Sequence, residues 1–240
     1  MKPRWLVLAF ALALALCLAQ GQNAGPNSPQ NPRIPTITYD RVWEAYTPQN
    51  VDIVVQAMGS TRYLSRNPFK PPPNQAHNPF NPPDQAVSDP DFTLEFTMSA
   101  ANRNKIFRLA QQANYFNGDF AFKKHTVASS GKKTLTYADE ARHFETTYDY
   151  SENKAIEEIT NLFQGISNTI EHGRKLQFLH RFDKLGLEAE LKDMESAMEG
   201  HNLRELQVIA PTLESIAKDA AVLNIARQRA KRLLAKAGSE

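Results

Sequence analysis

The chain has 240 residues, of which 28 are Lys or Arg, 26 are Asp or Glu and one is Cys. Its formal net charge of +2 argues against a dedicated nucleic-acid-binding protein, because such proteins usually carry a basic excess that matches the phosphates they neutralise. One Cys excludes an internal disulfide framework and a cysteine-rich zinc site. With 41% hydrophobic residues the chain can form a core, and its length favours one large domain or two small ones.

The N-terminal segment, residues 1–21, has the pattern of a secretory signal peptide. Lys2 and Arg4 precede an apolar run over residues 5–19. That run is shorter than the roughly 20 residues that a membrane-spanning helix needs, and small residues suited to cleavage end at Gly21. We therefore expect an exported protein, periplasmic or extracellular, with an uncleaved anchor as the alternative.

Cys17 permits a different kind of export, in which its thiol is acylated and the protein becomes a lipoprotein. Leu16 stands directly before it, where bacterial lipoproteins usually have a small residue. Lipidation is therefore the alternative to a soluble exported chain.

Two segments have compositions that do not support a packed core. Residues 22–40 begin with a stretch rich in Pro, Asn and Gln, and we predict a disordered leader there. Residues 67–90 are rich in proline and repeat the pattern NPFxPP, which favours an extended polyproline insertion. Phe69 and Phe80 occupy equivalent places in the repeats. We predict that they either contact a partner or pack on the protein's own sheet.

Alternating and β-branched patterns predict an α+β domain over residues 41–172. Strands are expected at 51–58 and 61–65, which form a hairpin, and at 92–98, 133–137 and 141–150. Ser99 is predicted to cap one helix and Ser151 a second, whose apolar stripe is interrupted at Gly173. The prediction is a small antiparallel sheet with two helices.

Residues 173–240 carry helical patterns throughout, and we predict an α-helical hairpin or bundle for them. A four-three alternation over residues 209–234 indicates one long helix, with Arg227 in an otherwise apolar stripe. Self-association through this stripe is a further possibility, which the buried position of Arg227 weakens.

Charges are segregated within this helical region. Acidic residues crowd its first helix and basic residues its last, namely Glu188, Glu190, Asp193, Glu195 and Glu199 in the first, and Arg227, Arg229, Lys231, Arg232 and Lys236 in the last. Either the two rows pair within the molecule, or the basic row binds an anionic lipid, an anionic envelope polymer or an envelope protein. The second interpretation makes Arg227, Arg229, Lys231 and Arg232 binding residues.

Several features of residues 50–170 occur together in one known kind of domain. They are Gly59-x-x-x-Tyr63 in the hairpin, Thr97-Met98-Ser99 before a helix that ends in Phe116, the later strand pair, and a closing helix with Ile156 and Ile159. In this the chain resembles a small α+β domain of exported bacterial proteins, a family whose function is unknown. The resemblance implies a fold and carries no catalytic residue over. The proline-rich insertion and the C-terminal helices depart from the compact form of that family.

Motifs for catalysis or metal binding are weak in this sequence. The HExxH pair of zinc enzymes is absent, and we expect no metal and no cofactor. Ser129-x-x-Lys132 and Ser151-x-x-Lys154 have the spacing of acyl-transfer enzymes but lack the partner motifs of those enzymes.

We therefore expect a non-enzymatic binding or scaffolding module of the cell envelope. The alternative is a cell-envelope hydrolase whose catalytic residues the spacing does not reveal. Glu145, His143 or Ser151 in a concave pocket beside groups of perturbed pKa would favour the hydrolase, and a flat, solvated setting would count against it.

Overall fold

The structure, a computed structural model, describes residues 34–67, 91–124 and 128–238. Its strands are β1 (Thr36–Val42), β2 (Asn50–Gln56), β3 (Ser60–Arg66), β4 (Phe92–Thr97), β5 (Lys132–Ala138) and β6 (His143–Tyr148). Its helices are α1 (Ala100–Gln112), α2 (Lys154–Phe182), α3 (Leu187–Glu199), α4 (Ala210–Lys218) and α5 (Asn224–Ala237), with 3₁₀ turns at Asn114–Phe116 and Leu206–Ile209. This order confirms the predicted α+β class, with an antiparallel sheet first and a helical bundle after it.

The six strands form one antiparallel sheet in the order β4-β3-β2-β1-β5-β6. Apolar residues alternate with polar ones along each strand, so one face of the sheet is buried and the other is open to solvent. The predicted hairpin is β2–β3, and its turn places Gly59 at φ 101°, a conformation that residues with a Cβ rarely adopt.

Helices α1 and α2 cover the buried face of the sheet. Ser99 caps α1 as predicted, because its Oγ accepts a hydrogen bond from the backbone N–H of Asn102. The predicted cap of α2 is wrong by two residues. Asn153 is the cap and accepts hydrogen bonds from the N–H groups of residues 155 and 156, whereas the Ser151 Oγ accepts one from the N–H of Asn153.

Helix α2 has 29 residues and belongs to both halves of the molecule. Its first part packs in the core under the sheet, and Leu176 packs in a second core made by α3, α4 and α5. The predicted interruption at Gly173 is wrong, since the helix passes through this residue without a break. Gly173 instead provides room for Ile209, whose Cγ2 lies 2.3 Å from where a Cβ on Gly173 would stand.

The long helix predicted over residues 209–234 is two helices. Helix α4 ends at Lys218, where Asp219 takes an extended conformation and its side chain accepts a hydrogen bond from the N–H of Ala221. The turn shifts the apolar stripe by one residue. Leu223 is therefore exposed, and the buried positions of α5 are Ala226, Ala230 and Leu233.

Some predictions fall on other parts of the chain. The signal peptide, Cys17, Phe69 and Phe80 lie outside the described residues. The leader boundary at residue 40 is corrected, because β1 already begins at Thr36 and its alternating side chains pair with two strands. Among the described residues, helices long and apolar enough to cross a membrane are absent.

Candidate anion-binding cleft on the first helix

The basic row on α5 contacts the acidic row on α3. The Arg229 guanidinium pairs with Glu188 at 3.1 Å and with Glu195, and Arg232 pairs with Glu195 at 2.8 Å. Hydrogen bonds to both arginines hold the pKa of Glu195 below its usual range, against the opposing effect of burial. Two of the four predicted binding cations are thus neutralised within the molecule.

The other two predicted cations differ in exposure. Lys231 is exposed on the outer face of α5, and it has no ion-pair partner among the described residues. Arg227 is half-buried, and its guanidinium contacts Asn224 at 3.5 Å. Lys231 is therefore the more available cation of this row.

The residues that would indicate a hydrolase do not converge on a pocket. Glu145 and His143 are exposed on the open face of the sheet, and Ser151 is buried with its Oγ bonded to a backbone N–H. The clefts described below are lined by other residues. The setting that would have favoured the hydrolase is therefore absent at these three positions.

A Ser-x-x-Lys pair that the sequence search overlooked lies at Ser130 and Lys133. The Lys133 Nζ donates to the Ser130 Oγ at 2.9 Å and to the carbonyl oxygens of Ser130, Gly131 and Asp149 at 2.7–3.0 Å. Burial lowers the pKa of Lys133, and the nearby Asp149 carboxylate opposes this. Because carbonyl oxygens stabilise the ammonium form, this arrangement fastens the loop before β5 rather than preparing a base.

A cleft of about 440 Å³ lies along α1, and we call it the α1 cleft. The helix contributes Asn104, Phe107, Arg108 and Gln111, which have the i, i+3, i+4, i+7 spacing of one helix face. Arg103 stands beside them. The remaining lining residues come from other segments, namely Pro35, Ala57, Tyr115 and Tyr137.

The α1 cleft contains cations and no carboxylate among the described residues that line it. Arg108 is exposed and has no ion-pair partner in the described part of the chain. Among the described residues, the guanidinium of Arg103 has one long hydrogen bond, 3.4 Å, from its Nη1 to the carbonyl oxygen of Met58. The sequence of α1 has no acidic residue that could neutralise either arginine. These two guanidinium groups are thus available to an anion from outside.

Three consecutive residues with left-handed backbone, none of them Gly, form the turn that carries Tyr115, one of the residues that line the α1 cleft. Asn114, Tyr115 and Phe116 have φ values of 49°, 54° and 69°. This conformation costs about 1–2 kcal/mol per residue for an L-amino acid. The burial of Phe116 in the core holds the turn, which places the Tyr115 ring at the cleft. Such strain persists where the surrounding structure fixes it, and it clusters at ligand sites.

The rim beside Tyr115 is fixed by a network around Asp139. The Arg142 guanidinium lies 3.8 Å from the centre of the Tyr115 ring and donates to the Asp139 carboxylate at 2.6 Å. The Tyr137 hydroxyl donates to the same carboxylate at 2.9 Å. Hydrogen bonds from Arg142 lower the pKa of Asp139 to about 2, and burial raises that of Tyr137 to about 12. Asp139 therefore stays ionised and Tyr137 stays protonated near neutral pH, and this wall of the cleft is preformed.

A second cleft, of about 490 Å³, lies between α2 and α3 and is called the α2 cleft. Its cations are paired. Glu190 is buried and accepts from His172 at 2.6 Å and from Lys175, while Glu171 pairs with Arg174 at 3.1 Å. Although burial raises the pKa of Glu190, its bonds to His172 and Lys175 lower it overall. This cleft is larger than the α1 cleft, but its charges are already compensated.

The open face of the sheet carries a pair of carboxylates. Asp40 on β1 and Asp52 on β2 stand directly opposite each other in the strand register. Partial burial, the hydrogen bond between the two side chains and repulsion from Asp52 raise the pKa of Asp40 to about 6. Among the described residues, groups of three or more His, Cys, Asp or Glu that could hold a metal ion are absent.

The α1 cleft was not predicted from the sequence because its residues come from distant segments. One signal was present, since α1 has Arg103, Lys105 and Arg108 and no acidic residue. No protein-family model matches this chain, and no curated protein matches it. The geometry and charge of the clefts are therefore the basis for a functional proposal.

Proposed function

We propose that this protein is an exported, non-enzymatic binding module of the cell envelope that holds an anionic polymer in the α1 cleft. The observation that carries the proposal is the pair of guanidinium groups, Arg103 and Arg108, in a cleft without a carboxylate among its described lining residues. Export rests on the N-terminal apolar run, and the bacterial setting rests on the resemblance over residues 50–170.

The side chains of the α1 cleft also suggest the form of the ligand. Arginine binds phosphate and carboxylate groups through two parallel hydrogen bonds. Phe107 and Tyr115 offer apolar ring faces, and Asn104 and Gln111 offer amide groups for hydroxyls. A polymer with repeating phosphates or carboxylates between polyol or sugar units fits this combination.

A binding measurement with a matched pair of variants tests the proposal. The Arg103→Gln/Arg108→Gln variant removes both cations of the cleft, and poly(glycerol phosphate) serves as the probe in titration calorimetry. We expect about 100-fold weaker binding, because each charge-assisted hydrogen bond contributes about 1.5 kcal/mol or more. The dependence of log Kd on log salt should also become less steep, by the amount that corresponds to the loss of about two phosphate contacts.

The control is the Arg62→Gln/Arg66→Gln variant, which makes the same change in net charge on the open face of the sheet. Both of these arginines are about half exposed, with side-chain exposures of 53% and 52%. It should bind the probe like the original protein. An equal loss in both variants, or no binding by the original protein to any phosphate or carboxylate polymer, would contradict the proposal.

The Pro-rich repeat remains a separate prediction. Phe69→Ser together with Phe80→Ser should leave polymer binding unchanged if the repeats contact a protein partner, and should weaken it if they extend the polymer site. Pull-down from an envelope extract with and without this double change distinguishes the two.

A second candidate is a cell-envelope hydrolase that uses the pair Asp40 and Asp52. The pKa of about 6 at Asp40 lies where a general acid or base works well near neutral pH. Incubation with cell-wall polysaccharide would then release reducing ends, and Asp40→Asn would abolish that release. Unchanged polysaccharide with the original protein between pH 5 and pH 8 would exclude this candidate for that substrate.

A further inference from the structure

Large apolar side chains are exposed at one end of the helical region. Phe178, Phe182 and Leu185 are 60%, 64% and 72% exposed, and they follow each other at four- and three-residue steps from the end of α2. Leu223 and Ile225, at the start of α5, are 46% and 51% exposed. We call these five residues the apolar end.

The two parts of the apolar end are held together by Asp219. Its carboxylate accepts from the His180 Nε2 at 2.9 Å and from the Lys184 Nζ at 2.6 Å. The turn that leads to Leu223 is therefore fixed beside the last turn of α2. Hydrogen bonds from Lys184 and His180, with one from the backbone of Ala221, lower the pKa of Asp219 well below its usual range. Asp219 is therefore ionised at physiological pH.

Cations surround the apolar end. Arg181 is exposed and lies 4.9 Å from the centre of the Phe182 ring. Lys184 is paired with Asp219, whereas Arg181 has no ion-pair partner among the described residues, and the Oδ1 of Asp183 accepts from the N–H of Gly186. In helix α5, which begins at the apolar end, Arg229 and Arg232 are paired with α3, and Lys231 is exposed without an ion-pair partner in the described part of the chain.

We propose that the apolar end is a docking surface for an anionic lipid membrane. Phe and Leu side chains at a helix end enter the boundary between headgroups and acyl chains, while nearby Arg and Lys contact anionic headgroups. Phe178 also lines the α2 cleft, but Phe182, Leu185, Leu223 and Ile225 line neither the α1 cleft nor the α2 cleft. These four side chains project from a helix terminus, which suits a bilayer better than a peptide. A symmetric contact with a second copy would bring the exposed Arg181 of each copy, which lies beside Phe182, into the same contact. The proposal is independent of the polymer site, since the apolar end shares no residue with the α1 cleft.

Vesicle sedimentation tests this inference. The protein is recovered after export from the expression host, and its N-terminus is read by mass spectrometry, so that all variants carry the same N-terminal residues. One set of vesicles contains phosphatidylcholine with phosphatidylglycerol, and the other contains phosphatidylcholine alone. We expect the original protein to bind the anionic vesicles more tightly.

Two variants separate the apolar and the electrostatic contributions. Phe182→Ser/Leu185→Ser should weaken binding to anionic vesicles by about 30-fold, because the variant loses two apolar side chains whose transfer from water into the bilayer favours binding. Arg181→Glu should weaken binding to anionic vesicles and leave the weak binding to phosphatidylcholine unchanged.

Met58→Ser is the matched control, because Met58 is 75% exposed on the turn between β2 and β3. It should bind vesicles like the original protein. Equal loss with Met58→Ser, equal binding to both kinds of vesicle, or no binding to either would overturn the inference. So would light scattering that shows a dimer in the original protein and a monomer in Phe182→Ser/Leu185→Ser, because a second copy would then cover the apolar end.

Discussion

The α1 cleft, in the sheet half, and the helical half of this molecule differ in how their charges are paired. In the helical half, Arg229, Lys175 and Lys184 each contact a carboxylate. In the sheet half, the cations of the α1 cleft lack such partners among the described residues, and Asp40 faces another carboxylate. Charge that is not compensated within the fold is available to a ligand. The α1 cleft is therefore the better candidate for an anion-binding site.

The same contrast explains why the α2 cleft, although larger, is a poorer anion-binding site than the α1 cleft. The α2 cleft has more ionisable groups, but an anion there would compete with Glu171 and Glu190 for the cations. An anion in the α1 cleft meets no such competition from the described residues. The availability of a cation therefore depends on neighbouring carboxylates more than on the number of basic residues.

The largest expected effect concerns Glu205, the carboxylate that joins the two halves. This side chain is fully buried and accepts from the N–H and Oγ of Ser99, at 2.8 and 2.6 Å, and from the Asn102 amide at 2.6 Å. Glu205→Ala leaves these donors at the start of α1 without their acceptor. We expect the free energy of unfolding to fall by about 3 kcal/mol, measured by urea denaturation.

Two further variants show whether this loss belongs to the link between the halves. Glu199→Ala removes an exposed carboxylate from the same half and should change the free energy of unfolding by less than about 0.5 kcal/mol. The Ser99→Ala and Glu205→Ala effects should be non-additive, because both remove the same hydrogen bond. Strict additivity would show that Glu205 acts elsewhere and that the halves are more independent than their shared contacts indicate.

A smaller effect is expected at Gly173, where α2 passes from one core to the other. A Cβ at this position would lie 2.3 Å from the Cγ2 and 3.2 Å from the Cβ of Ile209. Gly173→Ala must therefore displace the 3₁₀ turn that holds Ile209, which costs about 1–3 kcal/mol and outweighs the gain in helix propensity. We expect a net loss of about 2 kcal/mol in thermal unfolding.

Gly238 provides the control for this substitution, because the nearest atom to a Cβ there, within the described part of the chain, is the carbonyl oxygen of Ala235 at 4.0 Å. Gly238→Ala should leave the free energy of unfolding unchanged within about 0.5 kcal/mol. Equal stability of Gly173→Ala and the original protein would mean that the turn at Ile209 can move freely, and the packing of the helical half against α2 would then be looser than described.

The strands β2 to β6 and the cap at Ser99 could be predicted from the sequence because their signals are local, whereas β1 was missed because the predicted leader extended to residue 40. Alternation identifies the half-buried strands, and a Ser before a helical pattern identifies a cap. The predicted cap at Ser151 was wrong because Asn153, two residues later, is an equally good cap residue. The prediction of a single long helix was wrong because the turn at Asp219 lacks the Gly or Pro that would mark it. The apolar stripe therefore looked continuous in the sequence, although the turn shifts it by one residue.

The candidate site could not be predicted, for a different reason. Its walls combine Pro35, Ala57, Arg108 and Tyr137, which come together only after the strand order is set. The left-handed turn that places Tyr115 has no glycine to signal it. The pairing of Arg229 with Glu195 agreed with one of the two sequence interpretations, because segregated charge on neighbouring helices is itself a local signal.

The smallest expected effect tests the unpaired charge on the open face of the sheet. Asp40 has a pKa of about 6 in the folded protein, above the unfolded value of 3.8, so the folded state binds more protons between these values. Ionisation of Asp40 therefore destabilises the fold as pH rises from about 4 to about 6. Arg66 opposes this effect, while Asp52 and Glu145 strengthen it.

Urea denaturation of the original protein and of Asp40→Asn at pH 4 and pH 7 isolates this contribution, because carboxylates elsewhere cancel in the difference. We expect Asp40→Asn to gain about 1 kcal/mol relative to the original protein between the two pH values, a magnitude reduced by solvent screening of a half-exposed group. Asp52→Asn should give a smaller gain, since it removes the repulsion from Asp52 but leaves the partial burial of Asp40, which is the larger cause. A difference that is flat with pH, or that favours the original protein at pH 7, would show that the pair is compensated like the charges of the helical half. The contrast between the halves would then rest on the α1 cleft alone.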